Sequence, residues 1–162
     1  MIKYCRDKWE QNCDKLEQFF RHTKYLGEYC YEDILMFTIK YILDDGRNSD
    51  ELYYEDWDYT KIHSIDDGEY QGTLMFLISK DHYQPAEYDY MLTYIGYGSC
   101  SVCDPLQSIQ SDYEFAETEK EKEQVIKDLM TLCRDMINHM IVPYNHGWRA
   151  KEEYNQVEWK EN

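Results

Sequence analysis

The chain has 162 residues, enough for one domain to bury its own core, and 33 Asp and Glu against 17 Lys and Arg give it a formal charge of −16. A surface of that sign repels nucleic acid and anionic membranes at long range and attracts basic protein surfaces, so direct binding to DNA, RNA or a membrane is not expected. No run of about 18 apolar residues is present to span a bilayer, and six cysteines behind a polar opening, Met1-Ile2-Lys3-Tyr4-Cys5-Arg6-Asp7, read as reduced thiols of a cytoplasmic protein.

Apolar residues at Ile2, Cys5, Trp9, Cys13, Leu16 and Phe20 step by three or four and predict a helix from about Lys3 to Phe20, with both thiols as core filler. Gly27 interrupts it. A second helix is expected from Tyr29 or Tyr31 to Leu43, with Cys30 and Ile34 on its buried side, and Asp44-Asp45-Gly46 stops it. From Asp44 to Gly68 the chain is acidic, partly strand, and interleaved with rings: Asp44, Asp45, Asp50, Glu51, Glu55, Asp56, Asp58, Asp66 and Asp67 alternate with Tyr53, Tyr54, Trp57 and Tyr59. Two readings stand: a solvated connection whose aromatics pack back onto the core, or a surface on which carboxylates pair with Arg and Lys of a partner while rings stack on them.

Thr73-Leu74-Met75-Phe76-Leu77-Ile78 is a continuous apolar run, predicted to be a central strand or one buried on both faces, within a strand Gly72 to Ser79. A second strand, Tyr88 to Tyr97, returns antiparallel to it after the connection Asp81 to Ala86. Pairing about Gln84 places residue 100 near residue 68. His82 at the turn is then roughly 30 Å away, whereas His63, Asp66 and Asp67 come within reach of the residues just past the second strand. Pro105 to Ser111 reads as a short helix or turn. Thr118 and Glu121 form a capping box for a long helix reaching about Val142, closed by Pro143, with Ile126, Leu129, Met130, Cys133, Met136, Ile137 and Met140 on its core face. Asp135 and His139 share another face. A short helix is possible around Lys151 to Trp159. Nothing marks a second domain, so residues 1–162 read as a single α+β domain: a small antiparallel sheet packed by about three helices.

Chemistry concentrates at Cys100-Ser101-Val102-Cys103, just past the second strand. Two thiols three apart can face one centre, the commonest half-site for zinc in a reducing compartment. Such a zinc knuckle would pin the sheet's end to the last helix, with His63, Asp135 or His139 completing the ligand set. Plain reduced thiols are the main alternative; a redox CxxC is a further one, disfavoured because Asp104 places negative charge beside the second thiol and Pro105 delays any helix. Phosphate-binding loops, HExxH, GxSxG and the deaminase signature are all missing, so the chain does not read as an enzyme.

The segments Gly68-Glu69-Tyr70-Gln71-Gly72-Thr73-Leu74 and Tyr97-Gly98-Ser99-Cys100-Ser101-Val102-Cys103-Asp104-Pro105-Leu106-Gln107 resemble a group of small proteins carried by phages and prophages, with a pattern similar to YGSCSxCDxLQ. The resemblance spans roughly the middle third of the chain. It implies a counter-defence protein active in the bacterial host cytoplasm, of the kind that includes anti-CRISPR inhibitors of Cas9. The group's pattern has His near the position of Asp135, and Asp is also a zinc ligand. Taken with charge and rings, this makes the expected function that of a stoichiometric inhibitor docking an acidic, Tyr-rich surface onto a basic partner, Cas9 or its guide-RNA complex. The alternatives are a counter-defence protein binding a nucleotide signal, a metal-dependent enzyme, and a structural phage component.

Overall fold

In the computed structural model, which describes residues 2–44, 57–81, 83–86, 89–100 and 102–141, the first apolar stripe forms α1, Ile2–His22. Cys5, Leu16 and Phe20 are buried along it, and Trp9 and Cys13 are half-buried. After a 3-10 turn at Leu26–Glu28, α2 spans Tyr31–Thr38 and runs on as a π-helical turn, Ile39–Leu43. Cys30, expected in the core, lies outside it as the exposed N-cap of α2. Its backbone N–H (2.9 Å) and its thiol (3.1 Å) both donate to the Asp33 carboxylate, so a local polar bond holds it on the solvent side of the helix start.

Three strands, β1 (Trp57–Asp66), β2 (Gly72–Lys80) and β3 (Tyr90–Tyr97), form an antiparallel sheet in the order β1-β2-β3. The predicted hairpin holds, with Gly72 opposite Tyr97 and Leu77 opposite Leu92. β2 is central, but its apolar run is not buried on both faces. Phe76 and Ile78 are buried while Leu77 between them is half-buried, because the helices α2 and α4 pack against one side of the sheet. The second half of the acidic connection is strand β1, and Trp57 at its start joins the core.

The stretch after the cysteines is a full helix, α3, Pro105–Phe115. The capping box at Thr118 and Glu121 starts α4, Glu119–Asn138, as its sequence predicts. α4 ends four residues before the expected Val142, and Pro143 lies outside the described residues. Beyond it, Ile141 exchanges two backbone hydrogen bonds with Leu92 (2.7 and 2.8 Å), a bridge along the outer edge of β3 that draws the chain out of the helix. The proposed helix at Lys151 to Trp159 lies outside the described residues.

α4 is the element the others share: it packs against α1, α2, α3 and β3 and buries Val125, Ile126, Leu129, Leu132, Cys133, Met136 and Ile137. The buried Thr93 hydroxyl donates to the Met136 carbonyl at 2.5 Å, tying β3 to α4. Among the described residues every buried side-chain nitrogen and oxygen has a partner, and no helix is long and apolar enough to cross a membrane. The architecture is α+β.

Candidate functional site

Gly98 lies beneath the cysteine turn. A Cβ there would stand 2.6 Å from Cys103 Sγ and 2.8 Å from Cys103 Cβ, so only glycine leaves room for that side chain. The turn itself closes through the amides of Cys103 and Asp104, which donate to the Cys100 carbonyl at 2.9 and 2.8 Å. Cys103 Sγ accepts from the Cys100 amide at 3.1 Å and its S–H donates to the Cys100 carbonyl at 3.2 Å. Both thiols are exposed.

The two thiols are not equivalent. Interaction with the Cys103 side chain, then the amides of Val102 and Cys103, pull Cys100 below the ordinary thiol value; the Cys100 side chain and loss of water push Cys103 up. In contrast, burial pushes the core thiols Cys5 and Cys133 up to about 12.

Asp104, which on the sequence argues against an activated thiol, does push Cys100 up, but less than the Cys103 side chain and the turn amides pull it down. Asp104 is 4 % exposed, caps α3 by accepting from the Gln107 amide at 2.9 Å, and takes a 2.8 Å hydrogen bond from the Tyr31 hydroxyl. That hydroxyl in turn accepts from the Leu106 amide at 3.1 Å. The buried charge is thus balanced by a helix N-terminus and two donors, with Pro105 at the first helical position.

The predicted zinc ligands do not gather around the cysteines. His63 faces Leu77, which faces Leu92, five residues up β3 from Tyr97 and so roughly 17 Å along the strand. His139 stacks on Tyr94 with ring centroids 4.4 Å apart and has Nδ1 3.2 Å from the Tyr94 carbonyl. Asp135 does line the same hollow as Cys103. Among the described residues no three His, Cys, Asp or Glu side chains stand together as a metal-ion site, which leaves zinc with two sulfur donors and a carboxylate across a groove.

Of the predicted acidic partner surface, Asp45, Asp50, Glu51, Glu55 and Asp56 lie outside the described residues. Asp44 is half-buried at the end of the π turn. Asp58 is 8 % exposed, with Lys61 Nζ at 2.7 Å and the Thr60 amide and hydroxyl at 3.0 and 2.5 Å, so its carboxylate serves the start of β1 and does not face outward. Burial raises its pKa, but those bonds outweigh burial and hold it below the ordinary aspartate value. Asp66 and Asp67 are exposed, yet each closes the β1–β2 connection: Asp66 accepts from Tyr97 OH (2.7 Å) and the Gly68 amide (3.0 Å), and Asp67 from the Thr73 amide.

A second acidic surface, which the linear reading missed, lies between α3 and α4. Two hollows of about 210 and 360 Å³ meet at Asp112 and Asp128. Ile95, Ile109, Val125 and Leu132 line them, Glu121 and Asp135 stand at opposite ends, and among the described residues no Lys, Arg or His lines either. Glu121, Asp128 and Asp135 are seven apart, so they recur every two turns, about 10 Å, along one side of α4. That spacing was readable in the sequence; what it faced was not, because α3 was expected to be no more than a short helix or turn. Phe115 at one end is 73 % exposed and Val102 at the other is 96 % exposed. Glu121 spends its charge on the Thr118 and Glu117 amides, leaving Asp112, Asp128 and Asp135 as the groove's main negative groups, with Asp128 accepting from Gln124 Nε2 at 2.9 Å. Compared with known proteins, the chain matches no family model, no curated protein and no solved structure.

Proposed function

We infer that the chain is a stoichiometric inhibitor that docks on a basic, nucleic-acid-handling protein, with a Cas9-type nuclease or its guide-RNA complex as the partner. It is then a binding module and not an enzyme, and it works by occupying a cationic groove meant for a polyanion. The observation that carries this reading is the α3–α4 groove: carboxylates at a two-turn repeat, an apolar floor, exposed Phe115 and Val102 at its ends, and no cation among its described lining residues.

A basic helix with Lys or Arg at i and i+7 repeats its charges at the same rise as Asp128 and Asp135. Each carboxylate–guanidinium pair at such a rim is worth about 0.2–1 kcal/mol, and covering Phe115 adds about 1.5–2 kcal/mol, so charge selects the partner and apolar contact holds it. The formal charge of −16 supports the same reading.

The test is a DNA-cleavage assay with the Cas9–guide complex titrated with the purified chain. Inhibition that saturates near equal stoichiometry and weakens with added salt is expected. No inhibition and no co-elution with the complex, at low or high salt, contradicts the reading.

A further inference from the structure

The Cys100–Cys103 turn already has the span of a disulfide. A turn closed by an i to i+3 hydrogen bond, as the Cys103 amide makes with the Cys100 carbonyl, holds its end Cα atoms within about 7 Å, and a disulfide needs about 4.4–6.8 Å. Both thiols are exposed, Cys103 Sγ is fixed over Cys100 by its bonds to the Cys100 amide and carbonyl, and Gly98 gives it the room to stay there. No other cysteine is placed this way. Cys5 and Cys133 are buried, Cys13 is half-buried with its thiol 3.8 Å from the Asp14 carboxylate, and Cys30 is bonded to Asp33. The negative charge nearest in sequence, Asp104, is occupied by Tyr31 and the start of α3.

We propose that Cys100 and Cys103 form a thiol–disulfide exchange site whose co-substrate is a small-molecule disulfide of the glutathione class. Cys100 Sγ attacks one sulfur of the small disulfide, forming a mixed disulfide and releasing one thiolate. Cys103 Sγ then attacks Cys100 Sγ, forming the Cys100–Cys103 bond and releasing the second thiolate. The two protons given up by the cysteines end on the two released thiols. The protein is oxidised by two electrons and the small disulfide reduced by two, so no further reactant is needed. This goes beyond the docking reading and stands without it.

The experiment incubates the full reduced chain over a series of glutathione to glutathione-disulfide ratios, with acid quench, alkylation, intact mass and peptide mapping. The wild type is expected to lose two hydrogens, with the crosslink mapped to Cys100 and Cys103, at a glutathione-disulfide level about tenfold below that at which Cys13 or Cys30 takes an adduct. Cys103→Ser is expected to stop at a glutathione adduct on Cys100. The proposal is overturned if no Cys100–Cys103 crosslink forms at any ratio, or if Cys13 or Cys30 reacts at the same level as the pair. It is also overturned if a metal retained by the wild type blocks oxidation until a chelator is added.

Discussion

Replacing Tyr31 by Phe removes one oxygen and leaves the ring. In the folded chain that oxygen makes two bonds that water cannot replace: it donates to the buried Asp104 carboxylate at 2.8 Å and accepts from the Leu106 amide at 3.1 Å. A bond to a charged group contributes about 1.5–3 kcal/mol and an amide bond about 1 kcal/mol, so Tyr31→Phe is expected to cost ~3 kcal/mol. For a domain of this length each kcal/mol lowers Tm by about 2–4 °C, which gives a drop of roughly 6–12 °C. Urea unfolding monitored by circular dichroism should show a lower midpoint at unchanged slope, since the ring still packs. A loss below ~0.5 kcal/mol would refute the view that Tyr31 balances the buried Asp104 charge.

Gly98→Ala should cost about 1–3 kcal/mol, because the added methyl meets Cys103 Sγ, and it should abolish formation of the Cys100–Cys103 crosslink, read by peptide mapping; a crosslink formed as in the wild type would contradict this. Thr93→Val removes a buried hydroxyl from the Met136 carbonyl and should destabilise by about 1–2 kcal/mol, while an unchanged midpoint would show that β3 is not tied to α4 through this bond. Glu121, held by the amide and hydroxyl of Thr118 and the Glu117 amide, and Glu123, held by Arg21, both lie below the ordinary glutamate value of 4.5. Folded values that are depressed contribute stability that is complete above the ordinary value and is lost as pH falls through the lowered ones. The unfolding midpoint should therefore stay level from about pH 7 to 5 and fall below about pH 4.5, less steeply in Glu123→Gln, and a midpoint equal at about pH 3.5 and 6 would contradict the assignment.

The parts of the fold that repeat were legible in the sequence. The stripe from Cys5 to Phe20, the run from Thr73 to Ile78 and the Thr118–Glu121 box each declare their element locally, and each forms where expected. What was not legible depends on contacts made across the chain. α4 ends at Asn138, ahead of the Pro143 stop signal, and the chain beyond it bridges to Leu92, forty-nine residues before Ile141. Asp104 looked like a charge beside a thiol; the hydroxyl that captures it comes from Tyr31, on another helix.

The candidate site divides the same way. Cys100 and Cys103 stand together because their spacing makes the turn. The zinc expectation leaned on His63 and His139 as well, and the sheet register and the Tyr94 stack keep both engaged elsewhere. Among the acids, those nearest the strands are consumed in turns, as Asp58, Asp66 and Asp67 show, since short carboxylates next to free amides bond to them first. The seven-residue repeat from Glu121 to Asp135 is plain in the sequence, but it gained meaning only once α3 supplied the opposite wall with Asp112.

The docking reading meets its most direct test in one comparison: affinity of the Cas9–guide complex for the wild-type chain and for a chain carrying Asp112→Asn, Asp128→Asn and Asp135→Asn, at two salt concentrations. Three rim pairs at about 0.2–1 kcal/mol each predict a complex weakened between about threefold and a hundredfold and a shallower salt dependence for the variant. Equal binding by both chains at both salts, or binding by neither, would contradict it.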